Sequence, residues 1–271
     1  MTGFLVINHY LKGEKYDELH NHLVKSAKKC DITLKIVTNQ QIIFNREKPD
    51  FVLFWDKDVN TAKMLENKGV HVFNSADSIA LCDDKAKTYL ALENIVPQPK
   101  TIIAPLSFFE CDYSEFIDSA TEQLGLPLIF KECCGSFGEQ VYLCNTKEEI
   151  KNHINGKPFL LQKYIAESKG RDRRIEIING QCVAAMLREN KNDFRSNITN
   201  GATAIPYSPT KSEIQTAVNA CEKLGLTFAG VDMLEDGSVC EVNSNAHIIN
   251  LMNTVGIDIA PLIFEAIKEK I

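Results

Sequence analysis

Short apolar runs at Phe4–Asn8, Thr33–Val37, Phe51–Trp55 and Val70–Phe73 alternate with stretches around Tyr16–Lys29 and Val59–Lys68 whose apolar residues recur every three or four positions. Successive parallel strands need a crossover helix between them, so this alternation predicts a small parallel α/β unit. In the first helix Tyr16, Leu19, Leu23 and Ala27 form one apolar stripe. Ser75 is placed to cap a helix, and the charged stretch Cys82–Lys87 leads into another that ends near Asn94. Pro97-Gln-Pro99 then breaks the pattern.

Beyond residue 100 the strands follow one another with antiparallel spacing: Leu128–Lys131, Gln140–Cys144, Phe159–Tyr164, Arg173–Ile178 and Gln181–Arg188. Helices are predicted at Tyr113–Leu124, Lys147–Ile154, Lys211–Leu224 and Ile259–Lys270. Asn179-Gly180 has the chemistry of a two-residue hairpin turn, since both residues tolerate positive φ. The expected organisation is a Rossmann-like α/β lobe at 1–80, then two α+β lobes at about 81–160 and 161–271.

The most informative segment is Gly230-Val-Asp-Met-Leu-Glu-Asp-Gly-Ser-Val-Cys-Glu-Val-Asn243. A two-residue turn at Asp236-Gly237 pairs Glu235 with Ser238, Leu234 with Val239 and Asp232 with Glu241, and puts Asn243 further along the same face. Like charges directly opposite on a sheet repel unless a cation or proton lies between them. The other face reads Val231, Met233, Cys240 and Val242, all apolar. Two carboxylates and an amide oxygen are hard ligands, suited to magnesium or manganese. Taken alone, the same residues also describe a solvated acidic rim.

Composition narrows the class. The 271 residues are 44% hydrophobic and 24% charged, enough for a sizeable core. Thirty basic against 36 acidic residues, formally −6, argue against a broad nucleic-acid surface. Nine cysteines occur without CxxC spacing, which points away from a zinc ribbon or disulfide framework and toward a reducing cytoplasm. The apolar start is too short for a membrane span and lacks a cationic lead, so it is expected to be a strand.

Three further constellations carry chemistry. Lys131 ends an apolar strand and is followed by Gly135-Ser-Phe-Gly138, where backbone N–H groups can approach phosphate oxygens. A tight turn with a lysine reaching to solvent is the alternative. Phe159–Ile165 runs into a polar loop whose start could read an adenine edge, or could simply be a core strand and its exit. Arg173, Arg174 and Arg188 on neighbouring strands, with Asp193-Phe-Arg-Ser-Asn197 following, suit a carboxylate or phosphate, or else ion pairs with Glu176 and Glu189. His247 and the adjacent Cys133-Cys134 have ordinary packing roles as the simpler reading.

Taken in order, Cys82–Lys85, Gln162–Ile165, Gly170–Arg174, Asp193–Asn197, Ala229–Asp232, Glu241–Asn243 and Gly256–Ala260 resemble the ATP-grasp superfamily. Within it the match is to the RimK-like carboxylate–amine ligases that add glutamate or related amino acids. The resemblance runs from about Asn74 to Ile271 and implies two α+β lobes clamping ATP. It implies that Lys85 and Lys131 contact phosphates beneath Gly135, Ser136 and Gly138, and that Lys163 and Tyr164 meet adenine. Asp172 would lie near the ribose, and Arg195, Ser196 and Asn197 would line the phosphoryl-transfer region. Asp232, Glu241 and Asn243 match the family's metal ligands. Arg174, Arg188 and Arg195 are the candidate catalytic residues, the first two for the acceptor carboxylate and acyl phosphate.

The implied reaction consumes ATP with magnesium, or manganese, and joins an amino acid to a carboxylate or peptide acceptor. One departure falls on the acceptor side: the family continues past the asparagine with a small residue, Ser, Pro and Gly, whereas this chain reads Ser244-Asn-Ala-His-Ile-Ile-Asn250. A non-catalytic ATP-binding sensor or scaffold, and a peptide-modifying or D-amino-acid ligase, are the other readings. No nucleic-acid or membrane partner is expected, and a homo-oligomer is allowed.

Overall fold

The computed structural model describes residues 1–109, 111–136 and 138–271. The first part of the chain runs β1 (Thr2–Ile7), α1 (Glu14–Lys29), β2 (Thr33–Thr38), α2 (Asn39–Phe44), β3 (Phe51–Trp55), α3 (Val59–Asn67) and β4 (His71–Phe73). Its four strands form a parallel sheet in the order β2-β1-β3-β4. The run Phe-Val-Leu-Phe-Trp of β3 is buried throughout, as a strand covered on both faces must be.

Helices α4 (Ala76–Asp83) and α5 (Lys85–Leu92) follow. The first is capped by Ser75 and the second follows the charged stretch Cys82–Lys87, as expected, with the break between them at Asp84. The Asp84 carboxylate caps α5 through the N–H groups of Ala86 and Lys87 at 3.0 and 3.2 Å, and its backbone bridges to Cys134. The break is what delivers Lys85 to the start of a helix.

The middle of the chain is β5 (Thr101–Ile103), α6 (Ser114–Leu124), β6 (Leu128–Glu132), β7 (Val141–Cys144), α7 (Lys147–His153) and β8 (Phe159–Lys163). These strands make an antiparallel sheet ordered β5-β8-β6-β7. The last part is β9 (Arg171–Ile178), β10 (Gln181–Glu189), β11 (Thr203–Pro206), α8 (Lys211–Lys223), β12 (Phe228–Met233), β13 (Val239–Asn243), α9 (Ile248–Val255) and α10 (Ala260–Lys268). Its antiparallel sheet is ordered β11-β10-β9-β12-β13. At the β9–β10 turn Asn179 and Gly180 both have positive φ, 48° and 74°, as their chemistry anticipates.

The first and last sheets share a core. Leu5, Leu23, Phe51 and Trp55 pack in one cluster with Phe228, Ile249, Ile263 and Phe264, and the Trp55 and Phe228 rings stack at 5.5 Å. Asn74, 1% exposed, donates to the carbonyls of Phe228 and Ser244 at 2.9 and 2.7 Å and accepts from Thr227 N at 2.8 Å. Four elements went unforeseen. α2, β5 and β11 are too short to set a period, whereas α9 is short but carries Ile248, Leu251, Met252 and Val255 at helical spacing.

Among the described residues, no helix is long and apolar enough to cross a membrane. All nine cysteines are free thiols.

Candidate active site

The β12–β13 hairpin brings Asp232 opposite Glu241 and Gly230 opposite Asn243, the expected register. Its turn differs. Leu234 N donates to Ser238 O at 2.9 Å and Gly237 N to Leu234 O at 3.0 Å, so the loop has three residues, with Gly237 left-handed at φ 80°. Met233, not Leu234, pairs with Val239, and Cys240 is the extra residue of a bulge that restores register at Glu241. Val239 therefore joins Val231, Met233 and Val242 in the core, and Cys240 does not. Its sulfur faces the cleft 3.6 Å from Lys131 Nζ, and burial holds its thiol above the usual range.

Lys85, Lys131, Gly135, Ser136, Gly138, Tyr164, Asp172, Arg195, Ser196, Asn197, Asp232 and Glu241 all line one cleft. Phe137 lies outside the described residues. Lys163 is exposed at the end of β8 and does not line the cleft, because side chains alternate along the strand and Tyr164 takes the inward direction.

The arginines are committed to partners. Arg174 donates through Nε and Nη2 to the two oxygens of Asp232 at 2.6 and 2.7 Å. Arg188 does the same to Asp172 at 2.6 and 2.5 Å, and its Nη2 also lies 3.0 Å from Asp232. The adjacent Arg173 turns to the opposite face of β9, against Glu213 and Glu235. These pairs bear on two expectations. The forks of Arg174 and Arg188 are not open toward an anion, since only the Nη1 corner of each stays outside these pairs. Asp172, expected near ribose, is buried and holds Arg188. Desolvation opposes ionisation of Asp232, but Arg174 and Arg188 outweigh it and hold the carboxyl below its usual range.

Glu241 is different. It is half-buried, and among the described residues its carboxylate has no hydrogen bond or ion pair. Asn243 Nδ2 reaches Asp232 Oδ2 at 3.4 Å, leaving its carbonyl oxygen outside that contact. The described residues hold no cluster of three or more His, Cys, Asp or Glu side chains that could bind a metal. The expected set has only two acids and an amide. An unpaired, half-buried carboxylate beside an amide oxygen fits a hard divalent cation, with Asp232 already neutralised behind them.

Arg195 donates to Asp193 at 2.7 Å and, through Nη1, to the Gly138 carbonyl at 2.7 Å. A Cβ on Gly138 would meet Asn197 Oδ1 at 2.7 Å, so this loop and residues 195–197 pack at glycine distance.

A second, larger cavity of about 560 Å³ adjoins the cleft and shares Ser136, Asn197 and Glu241 with it. Arg174, Arg188 and Asn243 reach it from the last sheet, and Asn245, His247 and Asn250 from the segment that departs from the family pattern. Asn8, Tyr10, Tyr16, Asp56 and Lys57 close it from the first part of the chain. Sequence reading missed these residues, which carry no motif. The available signal was their place after the carboxyl ends of β1 and β3, where parallel α/β sheets bind ligands.

A model of the RimK-like ATP-grasp domain matches residues 82–267. The chain is 32% identical over 244 residues to the Mycoplasma pneumoniae protein named "Uncharacterized protein MG012 homolog", covering 83% of this chain and 85% of that one. It is 32% identical over 218 residues to N-acetylaspartylglutamate synthase A of Homo sapiens, covering 77% of this chain and 55% of the synthase. D-alanine–D-alanine ligase from Bacillus anthracis, solved with ATP, shares the fold at a TM-score of 0.77 and 18% identity, over 99% of this chain and 96% of the ligase.

Proposed function

The chain belongs to the RimK-like ATP-grasp family and is an ATP-dependent, ADP-forming carboxylate–amine ligase; from that premise we propose that it adds glutamate or a related amino acid to a carboxylate or peptide acceptor. The observation that supports this most is the meeting of two cavities at Ser136, Asn197 and Glu241. A nucleotide in the cleft presents its terminal phosphate at that junction, and an acceptor in the second cavity presents its carboxylate there.

Lys85 and Lys131 supply positive charge to the phosphates, and the backbone at Gly135, Ser136 and Gly138 approaches them. Tyr164 flanks the adenine, with the backbone at Lys163 beside it. Ser196 and Asn197 border the transferring group. Glu241 and Asn243 would hold magnesium, which ATP-grasp ligases bind together with nucleotide, or manganese in its place, with Asp232 completing the site from behind its arginines. The ion, when bound, neutralises phosphate oxygens as charge shifts onto the leaving ADP.

The acceptor carboxylate attacks the γ-phosphorus, the bond to ADP breaks, and an acyl phosphate results. The incoming amine then attacks the acyl carbon, loses a proton and expels phosphate, leaving an amide. The protein takes no covalent part, so catalysis is positioning and charge stabilisation. Arg174 and Arg188 serve through their Nη1 corners while Asp232 and Asp172 fix their planes. Arg195 holds the phosphate loop at Gly138.

Glu241→Gln tests the assignment. It keeps the shape of the side chain and disturbs no partner, so the variant stays folded but forms no ADP with magnesium–ATP and acceptor. Undiminished ADP formation would remove Glu241 from the machinery.

A further inference from the structure

Lys57 stands just beyond the carboxyl end of β3, outside every segment that carries the family motifs. Its ammonium is 2.5 Å from Asp83 Oδ1 and donates to the Gly135 carbonyl at 3.4 Å. These two contacts fall on the two segments that bring phosphate-facing groups to the cleft. Asp83 ends α4, two residues before Lys85, and Gly135 precedes Ser136. The same segments touch each other through the Asp84–Cys134 bridge and the bond from Lys85 N to Cys133 O at 2.8 Å. One ammonium therefore bridges the approach to Lys85 and the approach to Ser136.

Lys57 is itself oriented from the opposite side. Its N–H donates to Asp56 Oδ1 at 2.7 Å, and the buried Asp56 carboxylate accepts from Asn8 Nδ2 at 3.1 and 3.2 Å. Asn8 Oδ1 in turn accepts from the N–H groups of Tyr10 and Leu11 at 2.8 and 3.2 Å. Tyr10 and Leu11 line the second cavity. A continuous polar path thus runs from a loop facing that cavity to the backbone at Gly135.

We propose that Lys57 is a positioning residue: it sets Gly135 and Ser136 against Lys85 and ties their placement to the loop at residues 8–11, joining the acceptor side to the nucleotide cleft. The inference takes its functional meaning from the ligase reading. Lys57 acts through the groups it holds. The Lys57 and Asp83 side chains are 38% and 25% exposed, and a pair that open to solvent contributes little to overall stability. Its effect is local.

The test uses the full chain, amide hydrogen exchange at Gly135 and Ser136, and calorimetric titration with magnesium and AMPPNP. Lys57→Met is expected to speed exchange at both amides and weaken AMPPNP binding about tenfold, the scale of one lost charge-assisted anchor, with an unchanged melting temperature. Lys57→Arg, which keeps the cation and its donors, restores both readouts. Asn8→Ala leaves the ammonium in place but frees Asp56, shifts both readouts the same way by a smaller amount, and decides the matter if Lys57→Met unfolds. Wild-type exchange and affinity in these variants would overturn the positioning role. Failure of the wild-type protein to bind AMPPNP would instead overturn the ligase reading, while the exchange comparison still judges Lys57.

Discussion

Asp232 and Glu241 face each other across two strands, yet they are built for different work. Asp232 is 3% exposed and bound by two arginines, whereas Glu241 has no partner among the described residues. Asp232→Asn leaves Arg174 without its carboxylate in a buried site, while Arg188 keeps Asp172, so urea unfolding should show a loss of about 3–5 kcal/mol, the usual penalty for breaking a buried ion pair. Glu241→Gln should show almost none. Glu176, next along the same face of β9, is buried with one oxygen unpartnered, and desolvation pushes its carboxyl up to about 7. The folded protein therefore keeps a proton on Glu176 at pH values where the unfolded chain, near 4.5, has released it. Its contribution to stability is greatest below pH 4.5, falls as pH rises to about 7 and is constant above that. Glu176→Gln is expected to gain stability relative to wild type across that window, measurable as a difference in unfolding midpoint that grows from about pH 4.5 to about pH 7 and then levels off. A pH-independent difference would place the proton elsewhere.

The hairpin shows how an element carries the site. Gly237 is left-handed with open space around it, so Gly237→Ala should cost only about 1 kcal/mol of backbone strain. Gly230 has ordinary backbone, but a Cβ there would lie 2.7 Å from Glu176 Oε1 and 3.1 Å from Arg174 Cδ. Gly230→Ala should therefore displace Arg174 and cut ADP formation more than it lowers the melting temperature, and the ratio of the two effects separates the cases. Much of this hairpin was legible in the sequence. Alternation and an Asp-Gly turn place Asp232 against Glu241, because side-chain period and turn chemistry are local properties. The three-residue loop and the compensating bulge were not legible, since a bulge at Cys240 leaves the outer register unchanged and only the packing of Val239 selects it. Nor could the pattern show that Arg174 and Arg188 would close on Asp232 and Asp172. That pairing depends on β9 lying between β10 and β12, a long-range choice that strand periodicity does not encode.

At the scale of the whole molecule, the first sheet is joined to the last by an apolar core and by Asn74. Asn74 binds backbone at Thr227, Phe228 and Ser244, so it holds the segment that follows Asn243. Asn74→Ala leaves several buried backbone groups without partners and should lower stability by roughly 2–4 kcal/mol, read as a clear fall in melting temperature. The motifs gather most residues of the first cleft from sequence alone, whereas the second cavity emerges only when Asn8, Asp56 and Lys57 fold against residues far along the chain. That cavity is where the proposed function seats the acceptor. The most direct test of the account is therefore product mass: the purified protein with magnesium–ATP, the common amino acids, and pooled carboxylate metabolites and acidic peptides, run beside Glu241→Gln. The account predicts a new amide mass, carrying the increment of glutamate or a related amino acid, that requires ATP and is missing with the variant. Equal product from Glu241→Gln, or saturable ATP binding with no amide from any acceptor in the pool, would contradict it.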